Sequence, residues 1–320
     1  MLHFLLRRSC FLILYTFLTG SICFFVLRIL PGDAALTLTG LEATAEDIQQ
    51  AKAALGLDKN VLVQYTDWVR SLMHGNLGYS YLTKLPVGQE IVRRLPITLP
   101  LSICSFILAS FISIPLGIIA AVHKKDAVGM SISAVSAAGV AVPAFWIGII
   151  LVWIVALRLH LLPAGGFPRE GWGNSAAAVR SLVLPVFTVA AVMSASLIRY
   201  VRSAAQDVLR QDYIRTARSL GFSAFAVRIK HGLRNMAVPI MTILDIEFTS
   251  SLLGAVVIEN VFALPGLGAF LLQGVRSRDF PVVQDIIFLI TFFVLVIGFI
   301  IDILQHMIDP RLSYQERHSK

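Results

Sequence analysis

Asp245 and Glu247 interrupt an otherwise apolar run, residues 236–258. A carboxylate inside a bilayer-length helix is costly and marks an ion, proton or solute contact by default. At spacing i, i+2 the two side chains diverge by about 200° on a helix, so they cannot clamp one cation between them. Two readings stay open. One carboxylate lines a polar route and favours a cationic solute, such as a basic peptide or a metal complex; or both lie near the membrane edge, paired with Arg199, Arg202 or a partner chain. Asp285 and Asp302 stand near opposite ends of the apolar run 281–304 and read as boundary residues. Glu259 and Asn260 follow the first run in "IENVFALPGLGAFL", where Pro265, Gly266 and Gly268 make a turn and the apolar side chains form an external plug or re-entrant element. Glu259 then faces an external partner or the mouth of the polar route, or serves in a plain loop.

Other chemistries lack their residues. No G-x-x-x-x-G-K-[ST] occurs, so this chain has no phosphate-binding loop of that kind, and H-E-x-x-H, C-x-x-C and G-x-S-x-G are absent as well. Cys10, Cys23 and Cys104 sit singly in apolar runs without metal-ligand spacing, and the seven His are scattered. The expectation is no catalytic residue, no cofactor and no metal in this chain.

A different interaction is written in "QDYIRTARSLGFSAFAVRIKHGLRN", residues 211–235. Leu209, Tyr213, Thr216 and Leu220 recur at helical spacing as an apolar or small face, with Arg210, Arg215 and Arg218 elsewhere. Gly221 is placed to end that helix, because glycine takes the left-handed C′ conformation without a Cβ penalty. Ser223 then caps a second helix with Phe225, Ile229 and Leu233 on one face and Arg228, Lys230 and Arg234 around it. Such a helix, Gly hinge, helix unit fits anionic headgroups at a membrane surface. It equally fits a groove in a soluble partner, where Ala217 and Gly221 let backbones approach and the bases steer toward an acidic rim.

The elements that must carry these residues are membrane helices. The chain has 320 residues, 57% hydrophobic and 14% charged, with mean hydropathy +0.78, far too apolar for an ordinary soluble domain. Residues 9–27, 95–122, 127–157 and 181–198 carry no Asp, Glu, Lys or Arg and approach or exceed the roughly 20 residues a spanning helix needs. With 236–258 and 281–304 they make six spans. Arg7, Arg8, Lys124, Lys125 and the bases between the fourth and fifth spans fall on one side, which the positive-inside bias makes cytoplasmic, both termini included. That bias accounts for much of the net charge of +8, so no nucleic-acid partner is implied. No small-x-small cleavage site follows the first span, which reads as an uncleaved anchor. Residues 31–94, with six Lys/Arg against seven Asp/Glu, lie on the other face. There Thr44 with Asp47 caps a short helix that Gly56 stops, and a second helix places Leu62, Tyr65, Val69, Leu72 and Met73 on one side before Gly75. Its aromatic residues are expected to pack on the outer ends of the spans. Pro96, Pro100, Pro115, Pro143 and Pro185 within spans suit a bundle that bends around a route.

Residues 211–235 resemble the cytoplasmic EAA loop of ABC-importer permeases, whose core is Glu-Ala-Ala, three residues, then Gly; here Arg215-Thr216-Ala217 precede Arg218-Ser219-Leu220 and Gly221. "YIRTARSLG" with "KHGLRNMAVPI" resembles the variant of the dipeptide/oligopeptide/nickel permease family. "GLDKNVLVQYTDW", "GNLGYSY", "LPVGQEIVRRLPITL", "VPAFWIG", "IENVFALPGLG", "RDFPVVQ" and "DPR" continue that resemblance over nearly the whole chain in the family's order. The large external segment is like that of the first, B-type permease of a pair. The resemblance implies an all-α, six-span type I importer fold with a small external helical segment. Its parts are the N-terminal end and first span (1–30), the external segment (31–94) and a five-span core (95–320) with coupling loop 199–236. It implies a bacterial or archaeal inner-membrane subunit that works beside a second homologous permease, membrane lipid, two ATPase subunits carrying the ATP and Mg, and an external solute-binding protein. Arg215, Thr216, Ala217 and Gly221 carry over as the coupling segment. Because Arg and Thr replace the first two letters of the general motif, as is usual in this family, no acidic contact is assigned at Arg215. The separate binding protein does most of the selecting, with a di- or oligopeptide, nickel or a metallophore as the solutes. The rival is an ion-coupled secondary transporter using Asp245 or Glu247; against it stand the missing internal repeat and the docking loop. An intramembrane aspartyl protease would need paired Asp motifs that are not present.

Overall fold

The computed structural model describes residues 2–29, 34–39, 43–223, 232 and 234–308. Among these the chain is helical, apart from an isolated antiparallel bridge between Tyr79 and Pro86. Helix α1 is Leu2–Ile29, α2 is Ala34–Thr39, α3 is Ala45–Ala54 and α4 is Val61–Met73. Among the described residues five helices are long and apolar enough to cross a membrane: Phe4–Ile29 within α1, Val87–Val122, Gly171–Leu209, Asn235–Val261 and Phe280–Ile308.

The sixth expected span is broken. Residues 127–157 divide into α6 (Ala127–Ala141) and α7 (Ala144–Leu151), the latter continued by a π-helical turn, Val152–Arg158, and the two parts are bent by 99°. Pro143 causes the break: it has no N–H for the helix ladder and drives Val142 into extended backbone (φ −93°, ψ 126°). The other prolines are tolerated within helices; Pro185 lies inside Ser175–Leu209 (α8).

The chain falls into two compact units, and the division lies within α5 (Val87–Val122) and within the last helix, α12 (Phe280–Ile308). The first unit contains Met1–Leu99 and Ala263–Leu295. Its local signals behave as their chemistry requires. The Thr44 side chain accepts from Asp47 N (3.2 Å) and Asp47 Oδ2 accepts from Thr44 N (2.9 Å), a complete capping box. These bonds, the one with the Thr44 side chain foremost, hold the Asp47 carboxyl below its ordinary value. Gly56 (φ +67°) and Gly75 (φ +71°) follow the ends of α3 and α4 in the left-handed region.

The packed face of α4 keeps Tyr65, Val69 and Leu72 of the expected stripe half-buried, whereas Leu62 and Met73 at its two ends are exposed. The aromatic residues pack as expected, Tyr65 and Trp68 making ring contacts with Phe24, Phe25 and Phe288. Large rings bury much area at little entropic cost. The segment expected to be a plug is helix α11, Leu267–Ser277, preceded by a turn at Pro265–Gly266. Its Leu267 and Phe270 are buried with Val87, Ile91, Val282 and Ile286, and Leu267 N donates to Thr98 Oγ1 (2.8 Å).

The second unit contains Pro100–Phe262 and Val296–Lys320. Besides α6, α7 and α8 it includes α9 (Asp212–Ser219) and α10 (Arg234–Val261). Small residues set its helix spacing. A Cβ on Gly139 would stand 2.7 Å from Ala195 Cβ, and one on Gly117 would stand 2.7 Å from Val201 Cβ. Close backbone approach of this kind is how helices associate where lipid removes the hydrophobic drive.

Candidate coupling helix and intramembrane carboxylates

Between the spans α8 and α10 stands α9, with Asp212 in its first turn, where a carboxylate complements the helix dipole. Thr216 Oγ1 donates to Asp212 O (3.1 Å) and Ser219 Oγ to Thr216 O (2.8 Å). The helix stops as expected: Gly221 has φ +88°, and Phe222 N donates to Ala217 O (3.3 Å). A Cβ at Gly221 would meet nothing within 4 Å.

The face of α9 expected to be apolar or small is the open one. Ile214 and Ala217 are the buried pair, while Tyr213, Thr216, Leu220 and Phe222 are exposed, Leu220 by 72%. Ala217 therefore faces inward, and the apolar side chains lie on the open side. Arg215 and Arg218 lie within the helix. The expected second helix, with Phe225, Arg228, Ile229, Lys230 and Leu233, lies outside the described residues.

The three acids of α10 are turned inward to different degrees. Glu247 is buried and accepts a hydrogen bond from Ser196 Oγ on α8 (2.7 Å). Asp245 is half-buried on another side, where a Cβ on Gly298 of α12 would come 3.5 Å from its Oδ2. Among the described residues neither forms an ion pair with Arg199 or Arg202; Glu247 meets the Ser196 hydroxyl instead, and Asp245 lies beside Gly298. Glu259 is completely buried, and Asn260 beside it is the exposed residue. The open side of α10 is a stripe of Thr242, Ile246, Ser250, Leu253, Val257 and Asn260, with none of the acids on it.

The broken span runs antiparallel to α8 despite its bend. Ser136 Oγ donates to Ala195 O (2.6 Å), Gly148 approaches Thr188, and Arg180 donates to Leu161 O (3.0 Å). From Ala195 to Arg180 the chain beside it advances about 22 Å along α8. A re-entrant loop would return to its starting end; this segment does not. Its far end is held by Gly166 N, which donates to Phe262 O (2.7 Å), while a Cβ on Gly165 would stand 2.5 Å from that oxygen.

Sequence reasoning missed Asp279. It is 3% exposed and accepts from Ser80 Oγ, Tyr81 N (2.9 Å) and Leu82 N (3.3 Å), tying the corner before α12 to the loop before α5. The only signal was its place in "RDFPVVQ". Asp285, read as a boundary residue, keeps its place in the second turn of α12 but is 2% exposed rather than solvated.

Residues 113–314 match the family described as binding-protein-dependent transport system inner membrane component, and residues 1–102 match the N-terminal region of such components. The chain is 32% identical over 340 residues to the dipeptide transport system permease protein DppB of Escherichia coli K12, covering 99% of this chain and all of that one. A Brucella suis relative, whose name places it in a peptide transport system, is 35% identical over 315 residues, 97% of this chain and 98% of its own. Two inward-facing crystal forms of the MetNI methionine ABC transporter align over 69% and 68% of this chain and 97% and 96% of theirs. Their TM-scores are 0.57 and 0.55 at 15% identity, a likeness of fold.

Proposed function

Because this chain belongs to the binding-protein-dependent transport system inner membrane component family, we propose that it is one permease half of an ATP-driven importer of the peptide type. The near full-length similarity to dipeptide and peptide permeases supports the solute class. Both termini lie in the cytoplasm, and the external segment faces a solute-binding protein. A second homologous permease completes the route, and ATP with Mg acts on two partner ATPase subunits. Transport is alternating access, in which closure of the ATPases moves α9 and rocks the spans joined to it.

The observation that carries the coupling role is the open face of α9. Tyr213, Thr216, Leu220 and Phe222 present an apolar surface beside a left-handed Gly221 on a segment between two spans. Such a surface fits a groove in a soluble partner, with Arg215 and Arg218 supplying charge. Ala217 supports it from beneath. The stripe on α10 from Thr242 to Asn260 is the side that the second permease and the solute would meet. Asp245, Glu247 and Glu259 act in helix packing.

The test is co-purification of the tagged chain with its native neighbours, wild type beside Gly221→Asp, followed by ATPase assay. Aspartate tolerates the left-handed region better than most residues, and the site is open, so the substitution leaves the fold intact and acts at the partner. ATPase subunits that accompany wild type and are lost or uncoupled in the variant support the proposal. Equal recovery and activity in both would remove α9 as the docking element.

A further inference from the structure

The break between α6 and α7 lies where bare backbone is hardest to keep. A Cβ on Gly139 would stand 2.7 Å from Ala195 Cβ, and one on Gly148 would stand 3.3 Å from Thr188 Cγ2. Residues 141–143 fall between these contacts, level with residues 191–192 of α8. That level is about 17 Å of helix from Arg180 and about 11 Å from Arg199, the bases that bound the charge-free run of α8. The break therefore stands deep inside a hydrocarbon core about 30 Å thick.

Its carbonyls have lost their donors. Pro143 brings no N–H for Gly139 O, and among the described residues neither Ala144 N nor Phe145 N donates back to Val140 O or Ala141 O. The first bonds of α7 run instead from Trp146 N and Ile147 N to Pro143 O (3.0 and 3.4 Å). Val140, Ala141 and Pro143 are exposed, as are Phe145 and Trp146 on the next turn. Such carbonyls are too costly to face lipid, and irregular backbone at this depth persists only where protein covers it or a water-filled route reaches it.

Two further features favour the route. Helix α7, which begins at the break, packs on the outer end of α10, where a Cβ on Gly148 would come 3.5 Å from Val261 Cγ1, close to Val257 and Asn260 of the open stripe. The bare carbonyls also close the C-terminus of α6, the negative end of its dipole, and so favour N–H donors and cations. A peptide brings both, in its ammonium and its backbone N–H. Resting on the peptide-importer reading, we propose that the Pro143 break lines the solute route at mid-membrane, where Val140 O and Ala141 O accept hydrogen bonds from the peptide ammonium and N–H. Phe145 and Trp146 give its side chains an apolar wall, so the contact reads backbone and leaves side-chain identity open.

The test is thiol accessibility in membranes that hold the chain with its native neighbours, on a background of Cys10→Ala, Cys23→Ala and Cys104→Ala. Val140→Cys and Ala141→Cys should react with a water-soluble cationic methanethiosulfonate. Phe111→Cys, exposed near the middle of the unbroken α5, should not. Leu-Ala should slow the two reactions several-fold, and N-acetyl-Leu-Ala, which lacks the ammonium, should slow them less. Thiols at 140 and 141 that stay unlabelled, or that react no faster than the one at 111, would overturn the placement on the route. Labelling indifferent to Leu-Ala would overturn the peptide contact. ATP-dependent Leu-Ala uptake by the same membranes keeps the readings apart: its absence strikes the peptide importer, whereas uptake beside unlabelled thiols strikes the break alone. Pro143→Ala, which returns an N–H to Gly139 O, should lower uptake several-fold while ATPase subunits still co-purify; unchanged uptake would count against the proposal. The thiol panel decides the matter even if that variant fails to fold.

Discussion

At the scale of single residues, burial rather than residue type separates the acids. Asp279 gathers three donors in a closed corner, so its carboxylate is a structural hub. Asp279→Ala should destabilise the protein by about 2–4 kcal/mol, because buried donors are left unmatched, and Asp279→Asn by less. Thermal unfolding of the purified chain measures both; equal melting of Ala and wild type would remove the hub. Glu247 is closed in with Ser196, and Asp245 faces Gly298 rather than the open stripe. In transport assays, Asp245→Asn and Glu247→Gln should leave the ratio of cationic to neutral peptide uptake unchanged. A ratio that falls in either variant would return that carboxylate to the route. The inward placement of the acids could not be read from the sequence, since i, i+2 spacing tells how two side chains diverge and not which neighbour each one meets.

At the scale of elements, local signals were legible and faces only in part. The capping box at Thr44 and Asp47 and the left-handed stops at Gly56, Gly75 and Gly221 depend on bonds within a few residues, and they stand where the sequence placed them. On α4 the sequence placed Tyr65, Val69 and Leu72 on the packed side but not Trp68, and on α9 it placed the apolar face without showing that this face is the open one, because the packed side of a helix is chosen by partners distant in sequence. The capping box makes a pH prediction. Asp47 titrates below its ordinary value of 3.8, so its contribution is fully present above 3.8 and is lost as pH falls through the lower folded-state value. Amide-exchange protection of α3 in the full chain, corrected for intrinsic rates, should drop in that acid window and in Thr44→Ala at any pH. Protection independent of pH would mean that tertiary contacts alone hold α3.

For the whole molecule, the number of crossings rests on the broken span. A bend of 99° could turn the chain back, yet its contacts advance steadily along α8 from Ala195 to Arg180. Reporters inserted after Lys125 and after Gly166 should therefore lie on opposite sides of the membrane. Finding both on one side would make the segment re-entrant and reduce the spans to five. The same arithmetic governs the termini, because an even number of crossings returns the chain to its starting side.

By itself the sequence determined the membrane class, the approximate number and order of spans, the helix stops and the family. These follow from composition, local backbone preference and motif order, all of which are read along the chain. Tertiary structure alone decided that Pro143 bends a span without ending it and that the apolar face of α9 is open. It also decided that Glu247 is satisfied by Ser196 and that Asp279 gathers its donors from the loop before α5. Each depends on which atoms, remote in sequence, meet after packing, and desolvation and hydrogen-bond geometry act on that proximity alone.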